Sequence, residues 1–236
     1  MTTQDMPSFT IHVRGDFACF STPEASVERL SYPWITPSAA RALFEAVFWK
    51  PRICYQVRRI EVLEPIRYLS VRRNEIGGVI APTSAGPFDQ ILCDQDRQQR
   101  NATILRNVAY RITAEMALNE SVPANGPDDN HGKYREVLLR RLQRGQQFHQ
   151  PYLGMREFAA DVRLADPAEP TAPISMDYDQ GLMLYDFLFP AKQKGRAKKG
   201  ASNKAQPLYF KAEMRKGVVE VPSRETVLRQ NEGRYL

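Results

Sequence analysis

A chain of 236 residues with 42% hydrophobic and 25% charged side chains is long enough to bury a core and too apolar for wholesale disorder. Its formal charge of +6 favours polyanionic partners, a leaning that a merely solvated basic surface would share. The cysteines, Cys19, Cys54 and Cys93, stand apart with no CxxC pair or Cys/His cluster, and no run approaches the roughly 18 to 20 apolar residues of a membrane span. Zinc, a disulfide framework, secretion and membrane insertion are thereby argued against, and a soluble protein of the reducing cytoplasm is expected.

In chain order, Phe9, Ile11 and Val13 alternate with Thr10 and His12, the period of a half-buried strand, and Gly15-Asp16 is expected to end it. Thr36 before Pro37 offers a helix cap followed by proline at the first helical position, and Ala40, Leu43, Phe44 and Val47 recur at helical spacing. A helix to about Trp49 follows, stopped by Pro51. Period two returns over 53–69, as one long strand or a bent pair. From 70 to 101 the periodicity fails among Gly77-Gly78, Pro82 and Gly86-Pro87, which predicts a long loop or thumb-like insertion.

Residues 102–118 suit a further strand, with helix left open by pattern alone. Asp128, Asp129 and Asn130 are candidate caps for a second helix over 130–144, which Gly145 is placed to end. Phe158, Ala160, Val162 and Leu164 alternate as a closing strand. The order strand, helix, strand, loop, strand, helix, strand is that of a ferredoxin-like (RRM-like) unit within an α+β fold. The acidic, proline-rich stretch 166–173 reads as a linker between a domain over 1–166 and a small antiparallel β domain over 174–236.

That second unit carries a stretch, 191–204, with Lys192, Lys194, Arg196, Lys198 and Lys199 and no acid. It is either a solvated hairpin tip or an arm that contacts phosphates. At the start of the second helix, His131, Lys133 and Tyr134 set an imidazole, an ammonium and a phenol where unpaired backbone N–H groups and the helix dipole favour an anion. An imidazole such as that of His131 is the side-chain type suited to acid or base work near neutrality, whereas an ordinary phenol with a pKa near 10 is more naturally a donor or orienter. The alternative is a capping segment with a solvated lysine. Farther on, Arg140, Arg141 and Arg144, then Phe148, His149 and Tyr152, interleave cations and rings in a way that suits RNA, although the rings would serve equally as core. His12 reads as structural.

Several strings taken together resemble the subtype I-C (subtype d) branch of the fifth CRISPR-associated protein family: Gly15-Asp16-Phe17-Ala18-Cys19-Phe20, Glu28-Arg29-Leu30-Ser31-Tyr32-Pro33, Ile35-Thr36-Pro37-Ser38, Trp49-Lys50-Pro51, Arg72-Arg73-Asn74-Glu75 and Tyr152-Leu153-Gly154-Met155-Arg156-Glu157-Phe158. The resemblance spans nearly the whole chain. It implies an RNA-binding protein of the repeat-associated superfamily that cuts precursor CRISPR RNA beside the repeat stem-loop, holds the 5′ handle, and stays in the effector complex with the backbone and large subunits. It also implies cleavage with no metal or cofactor, the ribose 2′-hydroxyl attacking its own phosphate. Double-stranded DNA is a further partner for the basic surface.

The family's catalytic set is a tyrosine just before Trp-Lys-Pro and a lysine-histidine pair at the start of the second helix. Carried over by position, the lysine is Lys133, the tyrosine position holds Phe48 and the histidine position holds Tyr134. His131 or His149 is then a candidate replacement imidazole. A binding-only subunit that holds RNA or DNA without cutting is the alternative.

Overall fold

The computed structural model describes residues 6–25, 27–77, 97–126, 128–168, 171–189 and 205–232. It is a mixed α/β structure built on one curled, almost wholly antiparallel sheet. The strands are β1 (Ser8–Ala18), β2 (Arg29–Leu30), β3 (Ile53–Val62), β4 (Tyr68–Ile76), β5 (Arg97–Leu118), β6 (Asp161–Leu164), β7 (Tyr178–Leu188), β8 (Gln206–Arg215) and β9 (Val218–Glu220). The helices are α1 (Pro37–Val47), α2 (His131–Gln143) and α3 (Arg224–Asn231). The main path runs β6-β1-β5-β3-β9-β8-β7, with β2 and β4 paired to β5 off that path.

Both long helices start as the residue chemistry dictates. The Thr36 side chain accepts from Ala39 N–H at 3.3 Å, and Pro37 follows where a missing N–H loses nothing. Asn130, the last of the three candidate caps, accepts from Lys133 N–H at 3.0 Å. Gly145 ends α2 with φ +62, a left-handed angle that suits glycine. α1 buries Ala40, Leu43, Phe44 and Val47 and packs on β3 and β7, while α2 packs on β6, β5 and α1. The core between them holds Trp34, Phe44, Tyr110, Ile11, Ile60 and Ile112, all without solvent access or nearly so.

Three sequence expectations change. β1 does not stop at Gly15 but pairs with β5 as far as Ala18. The glycine is there because a Cβ would lie 2.4 Å from the Leu153 side chain and 3.2 Å from the Ala159 carbonyl, so the 151–159 loop lies directly over the strand. The stretch expected to be a loop from 70 to 101 is strand at both ends, with β4 paired to β5 from Tyr68↔Leu105 to Ile76↔Arg97. Its period is hidden because the inward positions after Leu69 and Val71 are charged: Glu75 pairs with Arg29 at 3.1 Å and Arg73 with Glu157 at 2.7 Å. The closing strand is shorter than 158–164, since Phe158 belongs to a tight loop that closes through Leu153 N–H to Phe158 carbonyl, 2.8 Å.

Residues 102–118 are strand, and the run 53–69 is a pair, β3 and the start of β4, joined through Pro65. β5 changes partner along its length from β4 to β3 on either side of Asn107, whose φ of +50 marks the irregularity. The expected basic arm, with Lys192, Lys194, Arg196, Lys198 and Lys199, lies outside the described residues, as does the centre of the 70–101 stretch. Among the described residues no helix is long and apolar enough to cross a membrane.

Candidate active site

The end of α1, the turn after it and the start of α2 meet around a cavity of about 530 Å³. Phe48, Lys50, Arg52, Asp128, Asp129, Lys133 and Tyr134 line it. Phe48 caps α1, its N–H bonded to Phe44 carbonyl at 2.9 Å and its carbonyl accepting from Tyr55 Oη at 2.8 Å. Burial raises the Tyr55 phenol far above its ordinary value, so that donor is permanent. The Phe48 ring faces the Tyr134 ring with centroids 5.8 Å apart, and the Arg141 guanidinium sits 5.1 Å above Phe48. Phe48 and Tyr134, far apart in sequence, thus form one wall.

Lys133 and Tyr134 leave the first turn of α2 side by side but differ in exposure. The Lys133 side chain is about half exposed and reaches Asp128 at 3.3 Å, a surface pair of little strength. Tyr134 is buried, and its hydroxyl donates to Asp129 Oδ1. Burial chiefly, then that bond and the Asp129 charge, raise the Tyr134 phenol above its ordinary value. Asp129 moves the other way. Asn125 N–H donating to Oδ2 at 2.7 Å is the main cause, with Tyr134 and Arg52 adding to it, and together they hold the carboxyl below the usual range.

His131 opens α2 but does not line the cavity, and its Nδ1 is buried without a hydrogen-bond partner among the described residues. Arg140 and Arg144 are exposed on α2 and at its end. Arg141 is tied to the protein, donating to Val47 carbonyl at 2.7 Å. His149 is exposed between Phe148 and Tyr152, at ring distances of 6.1 and 6.5 Å, on a segment anchored by Phe148 N–H to Ala46 carbonyl, 2.8 Å. The structure therefore gathers Phe48, Lys133 and Tyr134 in one cavity and sets Arg140, Arg144 and His149 on exposed surface.

Sequence alone does not single out Lys50, Arg52 or Asp129 as site residues. Lys50 and Arg52 are visible there only as the continuation of Trp49-Lys50-Pro51, and Asp129 only as one of three caps. That Asn130 takes the capping role leaves the Asp129 carboxylate for Tyr134 and Arg52, which a linear reading has no means of deciding.

A family model described as CRISPR-associated protein (Cas_Cas5), of the Cas5d kind, matches residues 9–222. The chain is 40% identical over 226 residues to the CRISPR pre-crRNA endoribonuclease Cas5d of Mannheimia succiniciproducens, covering 90% of this chain and 93% of that protein. It is likewise 40% identical over 225 residues to the CRISPR pre-crRNA endoribonuclease Cas5d of Thermus thermophilus, covering 92% and 93%. A crystal structure titled as a CRISPR-associated protein superposes with a TM-score of 0.65 at 20% identity, over 93% of this chain and 94% of that one, a likeness of fold. A match running almost from end to end, with two relatives at 40% identity, means that this chain belongs to the Cas5d family of CRISPR-associated proteins.

Proposed function

We propose that the chain binds the repeat RNA of a type I-C CRISPR system, cuts the precursor beside the repeat stem-loop without a metal, and remains on the 5′ handle alongside the backbone and large subunits of the effector complex. The observation that carries this reading is the cavity shared by Phe48, Lys133 and Tyr134, at the positions where the family resemblance puts its catalytic groups. Two relatives at 40% identity, each called a pre-crRNA endoribonuclease, support it. The strand order β6-β1-β5-β3, with α1 after β1 and α2 after β5, supports a ferredoxin-like unit as its scaffold.

In this reading a phosphate enters between Lys133, Lys50 and Arg52. Their charge stabilises the extra negative charge that develops on phosphorus as the 2′-hydroxyl attacks. Arg140, Arg144, His149 and the lysines of 191–204 hold flanking RNA, and the same cations would suit double-stranded DNA. A binding-only role draws on Phe48, which brings no polar atom to the cavity.

Labelled repeat RNA incubated with purified protein in EDTA separates the two. A single defined cut, absent from a scrambled hairpin, is expected. RNA that is bound but left intact would favour the binding-only role.

A further inference from the structure

A phenol carries one hydrogen and accepts through its oxygen. The Tyr134 hydrogen is committed to Asp129 Oδ1, so what the oxygen can still offer the cavity is acceptor capacity. Asp129 is itself held from several sides. Asn125 N–H donates to Oδ2 at 2.7 Å, Arg52 Nη1 lies 3.4 Å from Oδ1, and the same Nη1 donates to the Asp129 carbonyl at 2.5 Å. Only 9% of the carboxylate side chain remains accessible. The other charged side chains lining the cavity are Lys50, Asp128 and Lys133, and Lys133 already pairs with Asp128 at 3.3 Å. The Phe48 ring packs against the Tyr134 ring, centroids 5.8 Å apart.

Resting on the cleavage reading above, we propose that Asp129 acts through Tyr134 as a positioning residue: it turns the phenol oxygen into an acceptor for the ribose 2′-hydroxyl and receives the phenol proton when the 2′-hydroxyl gives up its own. The 2′-hydroxyl proton passes to Tyr134 Oη while the Tyr134 proton passes to Asp129 Oδ1. The freed electron pair on the 2′ oxygen forms the new bond to phosphorus. The bond from phosphorus to the 5′ oxygen breaks, its pair stays on that oxygen, and a proton from Lys133 Nζ completes the 5′-hydroxyl. Exchange with water then returns a proton to Lys133 and removes one from Asp129.

Asp129 contributes a fixed charged acceptor for the phenol hydrogen, which leaves the Tyr134 oxygen free to accept from the cavity side. A phenol at its ordinary pKa near 10 is ionised in only about one molecule in a thousand at pH 7, and burial reduces that further. Asp129 is ionised throughout the neutral range.

The test is single-turnover cleavage of repeat RNA in EDTA between about pH 5.5 and 9, with RNA affinity and melting temperature measured on each protein. The parent rate is expected to be level over that range. Asp129→Asn, whose amide oxygen can still accept from Tyr134 but cannot take its proton, should cut on the order of 10²-fold more slowly at unchanged RNA affinity, its residual rate climbing with pH. Asp129→Glu should regain part of the rate, and Asp129→Asn combined with Tyr134→Phe should be no slower than Tyr134→Phe alone. The proposal is overturned if Asp129→Asn cuts like the parent with the same pH profile, or if the Asn and Glu variants lose rate, affinity and melting temperature together. A parent that leaves RNA intact brings down the cleavage reading and the relay with it. A parent that cuts beside an equally active Asp129→Asn brings down the relay alone.

Discussion

Lys133 owes its reach to its place in the first turn of α2, where Asn130 caps the backbone and the side chain is left half exposed. In the proposed reading, replacing it by alanine takes one cation from the reacting phosphate and leaves the other RNA-facing cations in place. Lys133→Ala should therefore slow cleavage on the order of 10²-fold while leaving RNA affinity within about threefold, read by single-turnover rates and filter binding. Equal losses in both would show that Lys133 only binds. The lysine and its neighbour are legible in the sequence as residue types at the start of a helix. Their different surroundings are not, since only the packed structure sets Tyr134 against Phe48 and Asp129 and leaves Lys133 half exposed. His131 shows the converse: its chemistry invites a catalytic role, yet it does not line the cavity.

At the scale of elements, the site depends on how α2 begins. Asn130→Ala removes the acceptor for Lys133 N–H, a change of about 1 kcal/mol that should lower the melting temperature by about 2–4 °C and slow cleavage as the first turn frays. An unchanged melt would mean that other groups satisfy the helix start. The loop over β1 is pinned differently. Gly154 has φ +82, a Cβ there would fall 1.9 Å from the Cys19 carbonyl, and Cys19 N–H bonds to Leu153 carbonyl at 3.0 Å. Gly154→Ala should therefore destabilise by more than about 1 kcal/mol in a denaturant titration, yet still cut RNA at low temperature, because this loop does not line the cavity. Helix boundaries are readable from Thr36, Pro37, Asn130 and Gly145, all local signals. β4 is not, because its inward charges are matched by Arg29 and Glu157, which come from elsewhere in the chain. α3 escapes a reading by pattern because it buries only Val227 and Asn231 and so has almost no apolar stripe.

At the scale of the whole molecule, the antiparallel sheet runs from β6 to β7, with the cavity where the end of α1 meets the start of α2. The alternation of apolar residues announces most strands, but their order depends on long-range pairings such as Ile60↔Val219 that no local pattern encodes. Charge belongs to this scale as well, since +6 is a property of the chain and not of the site. Substituting Lys192, Lys194, Lys198 and Lys199 together by alanine should weaken RNA binding and reduce the slope of log affinity against log salt by about 0.7 for each phosphate no longer neutralised. An unchanged slope would mean that these lysines point away from the RNA. Strand scission by the RNA's own 2′-hydroxyl without a metal stands or falls on repeat RNA carrying one 2′-deoxy ribose at the cut site, assayed in EDTA beside the unmodified RNA. The unmodified strand should yield a cyclic phosphate and a 5′-hydroxyl while the deoxy strand stays whole; cutting of the deoxy strand, or cleavage only when magnesium is restored, would rule out metal-free attack by the 2′-hydroxyl.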